Sequence, residues 1–449
     1  MKSVALHNLG CKVNTYELDV MRQKLHENGY FIVPFDEVAD IYIVNTCSVT
    51  NIADRKSRQM LHQAKKRNPA AIVVATGCYA QTGTSQAKED DAVDLIVGNN
   101  KKKDIVEILE QYFVDHPDKT LGGTTVIDIN HTDEYEEMTL TTTTEHTRAY
   151  IKIQDGCNQF CSYCIIPYAR GRVRSRQEKD ILSEVECLVE SGFQEIVITG
   201  IHVSSYGMDF DGKKNPVGTE PFDHHRLLSL LQKLNAVEGL SRIRLSSLEP
   251  RIITREFVQE LSKLDKLCPH FHLSLQSGCD ETLKRMNRHY TTREYLEKVQ
   301  ILREYFSNPA ITTDVITGFP GETEEEFMCT KQFLDKVHFY EMHVFPYSKR
   351  KGTVAADRKD QIPDQVKKER SSIFLEMEKQ QSGEYREMWI GKEVEVLLEE
   401  EKQIGDEQYL VGYTKHYVRV AVKVDGKKQG QLHKGCITGF LQEDIMLME

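Results

Sequence analysis

Three cysteines lie close together in the segment DGCNQFCSYC, residues 155–164. Cys157, Cys161 and Cys164 follow the spacing Cys-x3-Cys-x2-Cys. A structural zinc site needs four ligands, and no Cys or His pair with suitable spacing follows downstream. Thiolates also hold four-iron clusters, and three of them leave one iron with an open position. The spacing therefore predicts a cluster whose fourth corner is taken by a substrate or cofactor. A chance grouping of three thiols is the remaining alternative.

Three further cysteines are far apart in sequence but share one placement. Cys11, Cys47 and Cys78 each follow an apolar run, in VALHNLGC, IYIVNTC and IVVATGC. In a doubly wound parallel sheet the carboxyl ends of the strands share one edge, where ligands bind. Buried inert thiols would be expected in mid-strand, so these positions favour a second three-thiolate cluster. Gly10 and Gly77 precede two of the thiols and would let the backbone approach a bulky group.

The composition indicates a globular protein that uses metal or redox chemistry. The 449 residues are 39% hydrophobic and 28% charged, and they include eleven cysteines. No apolar run approaches the length of about 20 residues that spans a membrane, and the first residues lack the apolar core of a secretory signal. We therefore expect a cytoplasmic protein without a membrane partner. A net charge of −11 argues against one large nucleic-acid-binding face and against DNA, but it allows local basic patches.

The chain divides into regions of different pattern, which together predict an α/β fold. Residues 1–115 alternate apolar runs with helical patterns, as in a doubly wound parallel sheet. Residues 116–147 are polar and threonine-rich and are expected to form a linker. Residues 148–380 contain six strand–helix units, which favour an open partial (β/α)6 barrel over a complete eight-unit one. Short strands over residues 386–449 predict a small antiparallel β-barrel.

The central cysteine spacing, with an aromatic residue before the last thiol, resembles the radical S-adenosylmethionine enzymes. The segments VITGIHVSSYG, LSLQSGCDETLKRMNR and TDVITGFPGE are similar to later strands of that family in the same order. The resemblance implies that S-adenosylmethionine binds the open iron of a catalytic [4Fe–4S] cluster held by Cys157, Cys161 and Cys164. One electron would then cleave it to a 5′-deoxyadenosyl radical. The cofactor-binding residues implied are Tyr163, Thr199, Gly200, Gln276, Asp314 and Gly318.

The segments LGCKVNTYE, NTCSVT and TGCYAQ resemble the N-terminal domain of the methylthiotransferases. The resemblance covers essentially the whole chain, and the C-terminal barrel is similar to the RNA-binding TRAM domain. It implies that Cys11, Cys47 and Cys78 hold a second [4Fe–4S] cluster, which is the source or carrier of sulfur. It also implies two S-adenosylmethionine molecules, one as methyl donor and one as radical source. A flavodoxin or ferredoxin is the expected electron donor.

Two segments, LGCKVN and HVFPYSKRKGT, resemble the branch of the family that modifies threonylcarbamoyladenosine. The isopentenyladenosine branch more typically reads Gly-Cys-Gln-Met-Asn at the first cysteine. The expected reaction is methylthiolation of carbon 2 of N6-threonylcarbamoyladenosine next to the anticodon of tRNA. Alternatives are isopentenyladenosine in tRNA, an aspartate of a ribosomal protein, or a non-catalytic, zinc-stabilised RNA-binding protein. Cys279 stands where the family usually carries serine, and no role is assigned to it.

Basic residues near the central cysteines and in the C-terminal barrel are the expected RNA contacts. Alternating arginines in ARGRVRSR would lie on one side of an extended segment. They could pair with phosphates, or one with a substrate carboxylate, and a solvated basic loop is the alternative. In the C-terminal barrel, cations occur among Tyr413 and Tyr417, which could stack on bases. The predicted RNA-binding residues are Arg170, Arg172, Arg174, Arg176, Lys415, Arg419 and Lys423.

Overall fold

A computed structural model describes residues 2–115, 123–142, 147–210 and 224–449. The chain forms an N-terminal parallel sheet, a central partial barrel and a closed C-terminal β-barrel. Within the described ranges, no helix combines the length and the apolar character that crossing a membrane requires.

The N-terminal domain is a parallel sheet with the strand order β2-β1-β3-β4-β5-β6. Its strands are β1 (Ser3–Asn8), β2 (Phe31–Val33), β3 (Ile41–Thr46), β4 (Ile72–Gly77), β5 (Leu95–Val97) and β6 (Gly123–Thr125). Its helices are α1 (Lys12–Glu27), α2 (Asn51–Arg67), α3 (Cys78–Thr82), α4 (Thr84–Lys88) and α5 (Ile105–Asp115). Every residue of β3 and β4 is buried, as expected for strands covered on both faces. The predicted doubly wound arrangement is confirmed.

The segment predicted as a linker, residues 116–147, is described over residues 123–142 and is packed there. Strand β6 extends the sheet by pairing with β5. Met138 and Leu140 are buried in the hydrophobic core, and Glu136 accepts a hydrogen bond from the Lys103 amide at 2.9 Å. This range is therefore anchored to the N-terminal domain and is not a free connection. Two of the four residues of its threonine run, 143 and 144, lie outside the described residues.

The central domain is the predicted partial barrel of six parallel strands. They are β7 (Arg148–Asp155), β9 (Glu195–Gly200), β10 (Arg242–Leu245), β11 (His270–His272), β12 (Ala310–Thr317) and β13 (Glu341–Pro346). Single bridges join β10 and its following loop to the β11 region, and the short β8 (Arg174–Ser175) runs antiparallel to β7. The helices are α6 (Ile166–Arg170), α7 (Glu178–Glu190), α8 (His224–Asn235), α9 (Arg255–Leu261), α10 (Asp280–Arg285), α11 (Thr292–Tyr305), α12 (Glu324–Val337), α13 (Val354–Asp357) and α14 (Asp364–Glu387).

The C-terminal domain is a closed barrel with the order β14-β15-β16-β18-β17. Its strands are β14 (Glu393–Ile404), β15 (Glu407–Thr414), β16 (Arg419–Lys423), β17 (Leu432–Gln442) and β18 (Ile445–Met448). Neighbouring strands are antiparallel except β16 and β18, which are parallel. Arg242, at the start of β10, donates to the Tyr413 carbonyl at 2.9 Å, and His270, at the start of β11, stacks on Tyr417. The small barrel thus covers the end where the central strands begin and leaves the opposite, catalytic end to the loops.

Candidate metal centres and active chamber

The central cysteines lie in the loop between β7 and α6, and the backbone of this loop is closely constrained. Gly156 has a φ of +72°, and a Cβ there would lie 1.8 Å from the Arg172 carbonyl oxygen. The amide of Cys157 donates to the Gly171 carbonyl at 3.0 Å, and that of Cys164 donates to the Cys161 carbonyl at 3.0 Å. Only glycine allows the chain to turn this tightly after β7, so the loop brings the three thiols together above the end of the strand.

Two of these thiols, Cys157 and Cys164, are kept neutral when no cation is bound. Burial, followed by the neighbouring Cys161 thiol, raises the pKa of Cys157 to about 12. Burial and the other two thiols also raise the pKa of Cys164. A bound metal would reverse this balance, because thiolates are the form that coordinates metal and the positive charge favours their ionisation.

Arg288 is the side chain that supports this group and that the sequence patterns did not single out. Its Nη1 is 3.4 Å from the Cys161 sulfur, and its Nη2 donates to the Ser274 carbonyl at 3.2 Å. Its Nε donates to the Tyr290 hydroxyl at 3.0 Å. These contacts hold the guanidinium against the sulfur, where hydrogen bonding and charge tune an iron–sulfur cluster.

Four of the expected cofactor contacts lie around the ends of neighbouring strands, on the same side as the thiols. Thr199 and Gly200 close β9 beside β7. Gln276 has a left-handed φ of +70° and bridges to β12, where its carbonyl accepts from the Ile316 amide at 2.9 Å. Tyr163 packs edge to face against Phe319, with a centroid distance of 6.4 Å. The structure thus brings these predicted residues to one rim of the barrel.

The other two expected cofactor contacts have partners within the protein. Asp314 lies inside β12, and its Oδ2 is 3.2 Å from Nε2 of His272 on β11. A Cβ at Gly318 would lie 2.3 Å from Cγ of Lys367 on α14, so close helix packing already requires glycine there. Both observations are compatible with a nearby cofactor, but neither depends on one.

The second trio of cysteines lies where the sheet topology predicts it. Cys47 and Cys78 directly follow β3 and β4, and Cys11 lies three residues after the end of β1. These three strands are adjacent in the sheet. The sheet order reverses between β1 and β3, and ligands bind at such switch points in open α/β sheets. Burial and then the other two thiols raise the pKa of Cys47 to about 12. A Cβ at Gly10, where φ is +110°, would lie 3.0 Å from the Cys47 sulfur, so glycine allows this close approach.

The spacing of the thiols bears on which metal group they fit. In the described part of the chain, one set of three His, Cys, Asp or Glu ligand atoms lies within 4.8 Å of one another: His272, Asp314 and His343. Neither cysteine trio is this compact. A single zinc, bonded to sulfur at about 2.3 Å, would hold its sulfurs no more than about 4.6 Å apart. Both trios are therefore more open than a site for a single zinc ion.

Comparison with known proteins decides the family. Residues 151–334 match the radical SAM superfamily, and residues 3–98 match the uncharacterized protein family UPF0004. The chain is 41% identical over 424 residues to the threonylcarbamoyladenosine tRNA methylthiotransferase MtaB of Bacillus subtilis (strain 168), covering 94% of this chain and 91% of the relative. The chain belongs to the radical S-adenosylmethionine methylthiotransferase family. Membership of the radical SAM superfamily implies S-adenosylmethionine and a [4Fe–4S] cluster.

Two further comparisons show how far the similarity extends. The tRNA-2-methylthio-N(6)-dimethylallyladenosine synthase of Acetivibrio thermocellus is 34% identical over 438 residues, covering 96% of this methylthiotransferase and 87% of the relative. The solved structure of the radical S-adenosylmethionine methyltransferase TsrM from Kitasatospora setae has a TM-score of 0.55 at 15% identity. It covers 79% of this chain and 74% of that chain. At this identity the structural likeness concerns the fold alone.

The alternating arginines of this methylthiotransferase do not form the expected RNA-binding row. Arg170, Arg174 and Arg176 are at most 1% exposed. Arg170 pairs with Glu17 at 2.6 Å, Arg174 donates to the Arg170 carbonyl at 3.0 Å, and Arg176 pairs with Glu184 of α7. Only Arg172 of the four is partly exposed, and its guanidinium lies over the ring of Phe160. Helix α1 and the packed segment before β7 cover this stretch, so three of the four RNA assignments are wrong.

Arg170 belongs to a buried charge network between the N-terminal and central domains. Glu17 of α1 accepts from Arg170 at 2.6 Å and from Lys152 at 2.7 Å, and it also pairs with Lys102. Burial alone would raise the pKa of Glu17, but Arg170, Lys102 and Lys152 hold it well below its ordinary value. The charge of Arg170 also reaches the thiol of Cys11. The network therefore fixes α1, the helix that begins after Cys11 of the second trio, onto β7.

The expected RNA contacts of the C-terminal barrel mostly have internal partners. Lys415 donates to the Asp265 carbonyl at 2.9 Å, and Arg419 pairs with Glu400 at 2.7 Å and with Asp444 at 3.0 Å. Lys423 pairs with Glu407 at 2.8 Å but is 61% exposed.

The two tyrosines of this barrel are also engaged internally. Tyr413 and Tyr417 stack on each other, and Arg148 and Arg244 of the central barrel lie over their rings. These rings lie in the contact between the two barrels and are partly exposed, and their use as base-stacking platforms stays a prediction. Lys423 is the most accessible of the predicted cations in this domain.

Proposed function

We propose that this protein adds a methylthio group to carbon 2 of N6-threonylcarbamoyladenosine next to the anticodon of tRNA. The observation that carries the proposal is its near full-length similarity to two relatives with that named activity, at 41% and 40% identity. Relatives named as dimethylallyladenosine synthases are 34–36% identical. The reaction uses two S-adenosylmethionine molecules, one as methyl donor and one as radical source.

In this proposal Cys157, Cys161 and Cys164 hold the catalytic [4Fe–4S] cluster. When bound, that cluster supplies the electron that cleaves S-adenosylmethionine to the 5′-deoxyadenosyl radical. Gly156 and the short loop hydrogen bonds keep the three thiols in position, and Arg288 places a positive charge and a donor beside the Cys161 sulfur. The rim residues Tyr163, Thr199, Gly200 and Gln276, with Asp314 and Gly318, orient the cofactor.

Cys11, Cys47 and Cys78 are proposed to hold a second [4Fe–4S] cluster that supplies or carries the sulfur. Their place at the switch point of the sheet, the close approach permitted by Gly10, and their spacing beyond that of a one-ion site support this assignment. Helix α1 begins directly after Cys11 and packs on β7 and β9, so the second trio faces the central barrel. The adenine ring is then held between the radical carbon and the second trio, with water kept away.

The remaining assignments are also proposals. The residues 386–449 form a TRAM-like barrel that contacts tRNA through exposed cations such as Lys423, so binding weakens with salt. Arg172 is the remaining candidate near the central cysteines. A flavodoxin or ferredoxin donates the electron, and the protein acts in the cytoplasm.

Replacing Arg288 by glutamine should make the reduction potential of the catalytic cluster more negative, by on the order of tens of millivolts. The change removes a positive charge and a hydrogen-bond donor beside Cys161, and both favour the reduced cluster. A redox titration followed by electron paramagnetic resonance measures the shift, and slower S-adenosylmethionine cleavage should accompany it. Arg303→Gln is the control, because that arginine donates to carbonyls at the end of α12. An unchanged potential in Arg288→Gln would remove Arg288 from this role.

Mass spectrometry of tRNA nucleosides from host cells with and without the gene tests the proposed function. Loss of the methylthio derivative of threonylcarbamoyladenosine, with accumulation of its precursor, is the expected result. Loss of the isopentenyladenosine product instead would keep the chemistry and overturn the substrate. No change in either nucleoside would favour a protein side chain as the substrate. Restoring the gene on a plasmid should restore the lost nucleoside.

A further inference from the structure

Three side chains that can bind a metal ion come together on neighbouring strands of the central barrel. His272 ends β11, Asp314 lies in β12 and His343 lies in β13. His272 pairs in register with Thr312, and Asp314 pairs in register with His343. Paired residues of parallel strands share a face of the sheet, and so do residues two apart in one strand. All three side chains therefore lie on the same face.

This face lines the lumen of the barrel, next to the rim that carries the expected cofactor contacts. Phe271 precedes His272, points the opposite way and is buried against Phe306 at the end of α11. The Asp314 carbonyl accepts from the amide of the rim residue Gln276 at 2.8 Å. His343 is exposed, so the group is accessible from the lumen.

The possible ligand atoms of this group are close enough together for a single ion. All three lie within 4.8 Å of one another, and Nε2 of His272 is 3.2 Å from Oδ2 of Asp314. Two ligands of a tetrahedral zinc ion, each bonded at about 2.0–2.1 Å, lie about 3.3 Å apart. His272 and Asp314 already have this spacing, and a small rotation of the exposed His343 ring brings its nitrogen to it.

The other ring nitrogen of His272 has the kind of partner that metal ligands use. Its Nδ1 is 3.0 Å from the Thr312 hydroxyl oxygen, which holds the ring with Nε2 toward Asp314. Such a second hydrogen bond fixes the tautomer and the orientation of a metal-binding histidine. Two imidazoles and one carboxylate are a donor set found in zinc sites that keep an open position.

A different His–carboxylate pair of the chain shows what is special about this group. His338 lies 3.0 Å from Glu384, and both side chains are about half exposed. Within the described ranges, no further His, Cys, Asp or Glu atom completes that pair to a compact set of three. A hydrogen-bonded pair would account for His272 and Asp314, but not for His343 as a third donor beside them.

We propose that His272, Asp314 and His343 bind one zinc ion in the lumen of the partial barrel. An ion with three protein ligands keeps an open position, and here an oxygen atom of water or of the substrate can reach it from the lumen. The expected contact of Asp314 with the cofactor is compatible with this site, because the ion needs only one of the two carboxylate oxygens. The site is separate from both cysteine trios and does not depend on which nucleoside is the substrate.

The test measures zinc binding to the anaerobic holoenzyme with both clusters. Zinc sulfate is titrated in competition with a chelator of known affinity, and zinc and iron are counted after gel filtration. We expect about one zinc per chain in addition to an unchanged iron content. Zinc K-edge X-ray absorption should show nitrogen and oxygen neighbours at about 2.0–2.1 Å and no sulfur at about 2.3 Å.

Three variants test the assigned ligands. Thr312→Val removes the hydroxyl beside Nδ1 of His272 and should weaken zinc binding about ten- to a hundred-fold. His343→Gln removes a ligand itself, so it should weaken binding by more than about a hundred-fold. His338→Gln is the matched control, because it alters a His–carboxylate pair that has no third ligand in the described part of the chain. It should leave zinc binding unchanged.

Several results would show that the inference is wrong. Wild-type protein without bound zinc would mean that the three side chains form only a hydrogen-bonded group. A sulfur neighbour in the absorption spectrum would place the zinc at cysteines. Binding that survives His343→Gln, or that His338→Gln weakens equally, would place the zinc elsewhere on the surface.

Iron content is measured for each variant to show that the clusters are intact. If His343→Gln loses iron, Thr312→Val and the absorption spectrum of the wild type carry the comparison. Because zinc binding is measured without RNA, its failure would leave the proposed function standing. Failure of the proposed function would likewise leave the zinc site standing.

Discussion

Replacing Cys157 by alanine is expected to reduce 5′-deoxyadenosine formation to background and to lower the iron content from about eight to about four per chain. Two thiolates cannot replace three in a loop this constrained, where Gly156 lies against the Arg172 carbonyl and Cys157 donates to Gly171. Without that cluster no electron reaches S-adenosylmethionine. The measurements are iron analysis of anaerobically prepared protein and chromatography of the nucleoside product.

Two other cysteine changes make this result specific. Cys78→Ala should also leave about four irons, but it should keep S-adenosylmethionine cleavage and lose the methylthio product. Cys187→Ala, a partly buried thiol of α7 outside both trios, should change neither measurement. Wild-type 5′-deoxyadenosine formation in Cys157→Ala would refute the cluster assignment. One or two zincs without iron in the wild type would support the non-catalytic RNA-binding alternative.

The strands that carry the two trios could be predicted because they are long and apolar. β3 and β4 are buried throughout, and the six central strands coincide with the predicted runs to within a few residues. Parallel topology then places the residue after each strand on one edge, and this is why thiols as distant as Cys11 and Cys78 could be grouped from the sequence. The strands β2 and β6 were not predictable in this way, since each has three residues and neither is fully buried.

The arginines show why the rest of the site could not be predicted. An alternating basic stretch has the same pattern whether it faces solvent or a neighbouring domain. The partner of Arg170 is Glu17, which lies 153 positions away in a helix whose polar residues resemble those of an exposed helix. Tyr413 and Tyr417 repeat the problem, because their ring contacts come from Arg148 and Arg244 of another domain. Burial of charged and aromatic groups at domain contacts depends on tertiary structure that no local pattern records.

Arg288 is a functional candidate that the patterns contained but did not reveal. It stands in LKRMNR after Gln276. The sequence gives its proximity to a strand end, but not the 3.4 Å contact of its guanidinium with the Cys161 sulfur. That contact joins two segments that are 127 positions apart in the sequence.

Glu17→Gln is expected to lower the free energy of unfolding by about 3–5 kcal/mol, the cost of removing one partner from a buried ion pair. The isosteric change keeps the packing but removes the ion-pair partner of Lys102 and leaves Lys152 and Arg170 paired with Asp155. Chemical denaturation of the anaerobic holoenzyme measures the change. The effect should be concentrated at the contact between α1 and β7, which limited proteolysis would reveal.

Glu27→Gln, an exposed change near the end of the same helix, is the matched control and should change stability by less than about 0.5 kcal/mol. A second readout separates positioning from general stability. Because Glu17 fixes the helix that follows Cys11, the folded fraction of Glu17→Gln should keep S-adenosylmethionine cleavage but form less methylthio product for each cofactor cleaved. If Glu17→Gln behaves like Glu27→Gln in both measurements, the buried charges do not fix the position of the N-terminal domain relative to the central domain. The alignment of the trios would then depend on the apolar contacts of α1 with β7 and β9.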